Sequence, residues 1–392
     1  MCFRSNAEKP AIRLLFLLPT YTFGGAERTS LNLLGGIDKK RFQICLVTSK
    51  NIFTYFSDIG IEKFIPLEDI GISTWFTTYR RFFHDVGRVA SLLKKETPDL
   101  VFGMMHYPSS LLVFANKLYH LGMKVIASPR GPSTEYLRYF EPDVIRRTSL
   151  KAIFKLFLRF ADGIVVNSSG MKEECIADFH AMKAKIAVIP NGVDVPIIRE
   201  MSCEDAAIER KKGFTVFSAA GRLEREKNFS FLIKAFSQVR KKREATLLLI
   251  GDGSEMRSLQ ILSAELGVES DVLFLGYQKN PYKYISKSDI FVHTCLFEGF
   301  PNIILEAMAN GVPVISIDCP YGPRDIITDG ENGFLIPIND EKAMVDALVK
   351  LTDNKELRDH IRELGAERIK VFSVQNMVAG YETFFDTIAQ TP

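Results

Sequence analysis

Residues 290–308 read IFVHTCLFEGFPNIILEAM. Ile290–His293 is a short apolar run, which predicts a buried strand. Glu298-Gly299-Phe300 then falls in the loop at the end of that strand. Pro301 suits the first turn of a helix, because its missing N–H is not needed there. Ile303, Ile304, Ala307 and Met308 give that helix an apolar face. A buried strand passing into a helix through a glycine loop is the repeating half-unit of an α/β domain. Glu298 is therefore off the helix and Glu306 is on it, more than a turn further along. The two carboxylates need not touch, and can accept hydrogen bonds from hydroxyls at different parts of one elongated ligand. Two unrelated solvated glutamates are the alternative.

The same alternation runs through the chain. In the front half, strands are expected at Ile12–Leu18, Phe42–Thr48, Leu100–Met104, Lys124–Ser128, Gly163–Asn167 and Ile186–Ile189. In the back half they are expected at Thr215–Ala220, Ala245–Ile250, Val272–Leu275, Ile290–His293, Val314–Ile317 and Gly333–Ile336. Their continuous apolar character fits parallel strands covered on both faces. Helical patterns lie between them, at Glu27–Leu34, Val86–Glu96, Ser230–Arg240, Glu255–Leu266 and Ile303–Asn310. Two such series predict two doubly wound, Rossmann-like domains. The polar segment Arg199–Lys212 is the expected linker, so the domains span 1–198 and 213–373, with a last helix from about 374 to 392 returning to the first. Ligands of open α/β sheets bind beyond the carboxyl ends of the strands. A ligand is thus expected in the cleft between the facing domains.

The 392 residues suffice for two cores, and 46% hydrophobic with 25% charged residues is typical of a folded chain. The run Leu14–Leu18, preceded by Arg4, Lys9 and Arg13, is read as a first strand rather than the core of a signal peptide. The cysteines at 2, 45, 175, 203, 295 and 319 form no C-x-x-C pair and no metal-spaced cluster, which points to reduced thiols in a cytoplasmic protein. Residues 1–198 carry 26 Lys+Arg against 18 Asp+Glu, a balance of +8, and the remainder 24 against 29, a balance of −5. A basic front half fits an anionic substrate or membrane surface, and no nucleic-acid recognition motif is present.

Several strand ends carry chemistry-bearing residues. TYTFGGAER (20–28) puts Gly24 and Gly25 before a helix whose amides suit an anion. AGRLEREKN (220–228) puts Arg222 and Lys227 five apart, a pair suited to a diphosphate. Gly251 and Gly253 make another glycine turn. His106 in MMHYPSS and Arg130 in SPRGPS fall at the cleft edge of the front domain, and His293 reads as core or as a residue behind the site. Each has a plain structural alternative: a turn, a solvated loop, a satisfied core histidine. Val144–Phe160 contains Arg146, Arg147, Lys151, Lys155 and Arg159 and no acid. It is either a helix lying on an anionic membrane or a half-buried helix with a basic solvent face.

These pieces, in order, resemble family 4 glycosyltransferases of the GT-B fold, the retaining, nucleotide-sugar-dependent group. The resemblance spans nearly the whole chain: GGAE at 24–27, SPRG at 128–131, ADGIVVNSS at 161–169, IPNGVD at 189–194, GRLEREKN at 221–228, GDG at 251–253, FEGFPNIILEAMANGVPVI at 297–315 and DGENGFL at 329–335. It implies that Glu298 holds donor-sugar hydroxyls, Glu306 the nucleotide ribose, and Arg222 and Lys227 the departing diphosphate. Gly25, beside Gly24, would let the front domain close on the phosphates, and His106 would sit near the sugar. Arg130, Asn191, Gly251 and Gly253 are further expected substrate contacts, as are Gly299, Phe300, Pro301 and Asn302, whose backbone amides add donors. No cofactor or divalent metal is expected, since the two cations supply the charge. Cys295 stands where the family commonly has serine, and Asp325 where glutamate is commoner. The CPYGPR form resembles members that build surface polysaccharides from UDP-hexoses or UDP-N-acetylhexosamines. The expected activity is hexosyl transfer to a glycan or lipid-linked acceptor, with peripheral contact at the inner membrane face through helix 144–160. The competing readings are a nucleotide-sugar epimerase of the same fold and a non-catalytic sugar-nucleotide-binding protein.

Overall fold

The computed structural model describes residues 10–206, 208 and 210–391. The chain divides into two compact units, one ending its first pass at Gly192 and resuming at Val374, the other running Val193–Ser373. In the first unit, strands β1 (Ile12–Leu17), β2 (Phe42–Thr48), β3 (Lys63–Pro66), β4 (Leu100–Met104), β5 (Lys124–Ser128), β6 (Gly163–Val166) and β7 (Ile186–Val188) form one sheet. Its order is β3-β2-β1-β4-β5-β6-β7, and every pairing is parallel. The helices that position functional groups there are α1 (Gly25–Gly36), α2 (Tyr79–Glu96), α3 (His106–Leu118), α4 (Ser133–Phe140), α5 (Val144–Phe160) and α6 (Ser169–Ala177).

The second unit opens with α7 (Val195–Ser202), followed by β8 (Thr215–Ala220), α8 (Phe229–Arg240), β9 (Ala245–Ile250), β10 (Val272–Phe274), β11 (Ile290–His293), α9 (Asn302–Ala309), β12 (Val314–Ile317) and β13 (Phe334–Ile336). Its parallel sheet runs β10-β9-β8-β11-β12-β13. In each sheet the order reverses direction beside the first strand, between β1 and β4 and between β8 and β11. That reversal opens the crevice at which doubly wound folds bind ligands.

The last helix, α10 (Val374–Gln390), completes the first unit's core. Phe385 meets Phe42 at 5.9 Å and Phe102 at 5.5 Å between ring centroids, and Phe102 stacks on Phe16 at 4.8 Å. Two glycines let α10 approach: a Cβ at Gly163 would lie 2.9 Å from the Phe384 ring, and one at Gly36 2.8 Å from Val378.

Three features differ from the expectations. The edge strand β3 has no counterpart among them; its four residues are half-buried or exposed and end in Pro66, so they lack a continuous apolar run. Arg199–Ser202 of the expected linker is the end of α7, where Arg199 Nε reaches the Ala309 carbonyl at 3.5 Å. The chain passes between units at Gly192–Val193 rather than at 198, because α7 packs on the second unit through Ile198. Leu14–Leu17 is buried within β1, whereas Cys2, Arg4 and Lys9 lie outside the described residues. No described helix is long and apolar enough to cross a membrane. The described cysteines 45, 175, 203, 295 and 319 are free thiols.

Candidate active site

The loop after β11 is stitched to the turn after β8. Thr294 donates its hydroxyl to the Lys227 carbonyl at 2.7 Å, and the Leu296 N–H donates to the Glu226 carbonyl at 2.8 Å. This brings the Lys227 ammonium onto the Glu298 carboxylate as an ion pair with both side chains only about one-fifth exposed. Burial alone would raise the Glu298 pKa, but the Lys227 charge outweighs it and holds the carboxyl well below its usual range. Burial alone would lower that of Lys227, but Glu298 outweighs it and raises the ammonium pKa. Behind the pair, His293 Nδ1 lies 2.9 Å from the Ser316 hydroxyl, which itself donates to the Ile317 carbonyl. The ring N–H therefore sits on Nδ1, and Nε2 faces Glu298 at 3.8 Å with no hydrogen bond. Burial lowers the His293 pKa, keeping the ring neutral.

Arg222 lies on the same turn, 73% exposed, with its guanidinium 3.2 Å from Glu226. Gly251 and Gly253 pack closely under this turn. A Cβ at Gly251, whose φ is +142°, would lie 1.8 Å from the Gly221 carbonyl oxygen, and one at Gly253 2.4 Å from that of Leu223. Phe300 is a core residue, its ring 5.7 Å from Phe372, so the loop offers ligands backbone at this position. Pro301 caps α9, which starts at Asn302 and carries the half-buried Glu306 in its second turn. Gly322, in CPYGPR, packs over the loop: at φ +90°, a Cβ there would lie 2.5 Å from Pro301. It buttresses the Glu298 loop.

In the first unit, Gly24 and Gly25 are exposed at the start of α1, and the Gly24 N–H is taken by Glu27 Oε2 at 2.9 Å. His106 opens α3 directly after Met105, whose φ of +77° is rare for a residue with a side chain. The His106 ring stacks on Phe154 of α5 at 5.0 Å, and its Nε2 lies 2.6 Å from the Ser133 hydroxyl. Burial pushes its pKa down to about 4. Buried Glu174 accepts from the Ser133 and Thr134 amides at 3.1 and 2.7 Å, filling the amino end of α4. Ser133 closes the SPRGPS stretch, whereas neither Phe154 nor Glu174 belongs to a recognisable motif. Arg130 donates to the Tyr381 hydroxyl at 2.9 Å and to the Asn191 side-chain oxygen. Arg130 thus ties the β5 loop both to α10 and to the loop after β7.

Residues 23–196 match the family described as Glycosyltransferase Family 4, and residues 203–368 that described as Glycosyl transferases group 1. The chain belongs to the family 4 glycosyltransferases. The transferase is 27% identical over 363 residues to the N-acetylgalactosamine-N,N'-diacetylbacillosaminyl-diphospho-undecaprenol 4-alpha-N-acetylgalactosaminyltransferase of Campylobacter jejuni, covering 89% of this chain and 92% of that one. It is 28% identical over 371 residues to the UDP-Gal:alpha-D-GlcNAc-diphosphoundecaprenol alpha-1,3-galactosyltransferase of Escherichia coli, covering 90% and 91%. Its fold matches a Rickettsia africae glycosyltransferase with a TM-score of 0.78 at 17% identity, over 98% of this chain and 100% of that one. It also matches Anabaena HepE, solved with UDP-glucose, with a TM-score of 0.75 at 18% identity, over 97% and 100%. The two Rossmann-like units are those of the GT-B fold.

Backbone stitching between the two loops holds Lys227 and Glu298 side by side, with Arg222 on the same turn. His293, Cys295 and Glu298 bring potential metal-ligating atoms within 4.8 Å of one another, the one such group among the described residues. Burial keeps the Cys295 thiol protonated, and Glu298 already faces the Lys227 ammonium. A trio that holds a built-in cation and an undissociated thiol is a poor set for a divalent ion.

Proposed function

We propose that this transferase moves a hexose or N-acetylhexosamine, with retention, from a UDP-sugar to a lipid-linked or glycan acceptor in surface polysaccharide or glycoconjugate synthesis. The observation that carries the donor site is the Lys227–Glu298 pair, stitched into one unit with Arg222. A diphosphate competes with Glu298 for the Lys227 ammonium. Once it arrives, Lys227 and Arg222 take the phosphate charge, and Glu298 is released to accept sugar hydroxyls. Glu306, further along α9, takes the ribose. Glu298 is committed to the sugar hydroxyls, so the reading assigns no carboxylate nucleophile. The bond from the anomeric carbon to the diphosphate breaks while the acceptor oxygen attacks from the same face. The acceptor proton passes to the leaving phosphate oxygen. Lys227 and Arg222 supply the positive charge in place of a divalent metal.

The relatives support the donor and acceptor classes. The E. coli relative is named for UDP-galactose and a diphosphoundecaprenol acceptor, and the C. jejuni relative for a diphospho-undecaprenol acceptor. Work on a lipid-linked acceptor calls for contact with the cytoplasmic membrane face, and the basic α5 supplies a surface for it.

The test is a thermal-shift panel of UDP, GDP and ADP with EDTA present. A native-state ligand raises Tm by mass action. UDP alone is expected to raise it, and Lys227→Ala to abolish the rise. A selective response to GDP or ADP, or a UDP response that needs added metal, overturns this reading.

A further inference from the structure

Between α4 and α5 lies a groove of about 490 Å³. Arg138 of α4 and Arg147, Lys151 and Lys155 of α5 line it, together with Asp178 and the Thr134 hydroxyl. Four cations face one acid. Asp178 lies 3.9 Å from Lys151 and also accepts from Thr134 at 2.6 Å. Among the described residues, Arg138, Arg147 and Lys155 have no ion-pair partner. Residues 147, 151 and 155 are four apart, so they stack along one face of α5. Like charges at that spacing weaken a helix. An anion in the groove removes that repulsion.

The amides at the start of α4 are already occupied by Glu174, so an incoming anion meets side chains rather than the helix end. The turn joining the two helices is Glu141-Pro142-Asp143, and just past it Val144 and Ile145, at the start of α5, are 61% and 82% exposed. Arg146 holds the 73–78 loop beside it through the Thr77 carbonyl at 3.2 Å, and Trp75 on that loop is 66% exposed. Exposed tryptophan and aliphatic side chains beside cations are the two halves of a membrane-interface contact. At the groove's other end, Thr134 follows Ser133, the partner of His106 at the carboxyl edge of the sheet.

We propose that the α4–α5 groove binds the phosphate or diphosphate of a membrane lipid, with the Trp75 and Ile145 surface seated in the interface. The Arg guanidinium forks grip phosphate oxygens and the Lys ammoniums add charge. The lipid is delivered with its phosphate toward the His106 edge. The choice of a lipid rests on the lipid-linked acceptor reading; the binding of phosphate does not.

The test uses the full chain, and Arg147→Glu/Lys155→Glu beside the milder Arg147→Gln/Lys155→Gln. Wild type is expected to sediment with phosphatidylcholine vesicles containing phosphatidic acid, and less with vesicles made equally negative with oleate. With saturating UDP already present to occupy the Lys227–Arg222 site, inorganic pyrophosphate is expected to raise its Tm further. Both variants should lose vesicle affinity on the order of tenfold or more and lose the pyrophosphate shift. Their UDP shift should be intact, which also shows that they fold. Equal binding to oleate vesicles reduces the groove to general surface charge and overturns the proposal. A pyrophosphate shift without vesicle binding assigns the groove to a soluble phosphate compound and overturns the lipid. Vesicle binding and a pyrophosphate shift that survive both variants overturn the groove itself. Loss of the UDP shift in wild type alone, with groove binding retained, sinks the donor reading and leaves this one standing.

Discussion

At the scale of single residues, the Lys227–Glu298 pair is where stability and activity meet. Removing one member leaves the other charge poorly solvated. Lys227→Ala is expected to cost about 3 kcal/mol of unfolding free energy. Adding Glu298→Gln should return part of that loss, so the double variant is more stable than additivity predicts. Chemical denaturation of the four proteins checks this; strict additivity would show that the two groups do not interact. The Glu298 pKa is depressed in the fold, so its contribution is full above the ordinary carboxylate value of 4.5 and fades as pH falls through the folded value. Wild type should therefore lose stability below about pH 4.5 more steeply than Glu298→Gln. Chain order names both residues, because each sits in a motif at a strand end. That they pair was not legible, since they are 71 positions apart and only the Thr294 and Leu296 stitches bring the two loops together. Arg130, Asn191 and Phe300 show the converse. A charged or aromatic residue at a strand end looks the same in sequence whether its side chain meets a ligand, another loop or the core.

Among the elements, the two glycine turns of the second unit set the spacing between the ends of β8 and β9. Gly251→Ala would press a methyl group into the Gly221 carbonyl at a backbone angle that disfavours any side chain. It is expected to destabilise the fold by about 3 kcal/mol and to weaken nucleotide binding through displacement of Arg222. Gly122→Ala, at φ +70° with open space around the added carbon, is the control and should cost about 1 kcal/mol. Equal Tm losses would remove the case for a packing role. The apolar strands were legible because parallel strands buried on both faces read as unbroken hydrophobic runs. Phe42–Thr48, Leu100–Met104 and Ala245–Ile250 appear with the bounds expected of them. Lys63–Pro66 was not, since an edge strand needs no such run. The α4–α5 groove was half legible: the basic stripe can be read from α5 alone, but Arg138 comes from a different helix.

For the molecule as a whole, α10 belongs to the first unit although the second unit lies between it and the rest of that unit in sequence. Tyr381 and Phe385 are fully buried against β1, β2 and β4 residues. A chain ending at residue 373 is expected to leave that face uncovered and to aggregate, whereas residues 193–373 alone should unfold cooperatively with a hydrophobic core of their own. Circular dichroism melts of both fragments decide it, and a soluble, cooperative 1–373 chain would show that α10 is dispensable.

The ends of the second unit lie side by side, Val193 N–H donating to the Phe372 carbonyl at 2.8 Å. The unit is thus inserted at one point of its host, and this orders events during synthesis. At roughly 5–20 residues per second, the ribosome needs about ten to forty seconds to cross residues 193–373. Throughout that time the nascent first unit waits with the α10 groove open. The inserted unit can finish folding before its host does, and the host's exposed apolar groove is then the segment most in need of a chaperone.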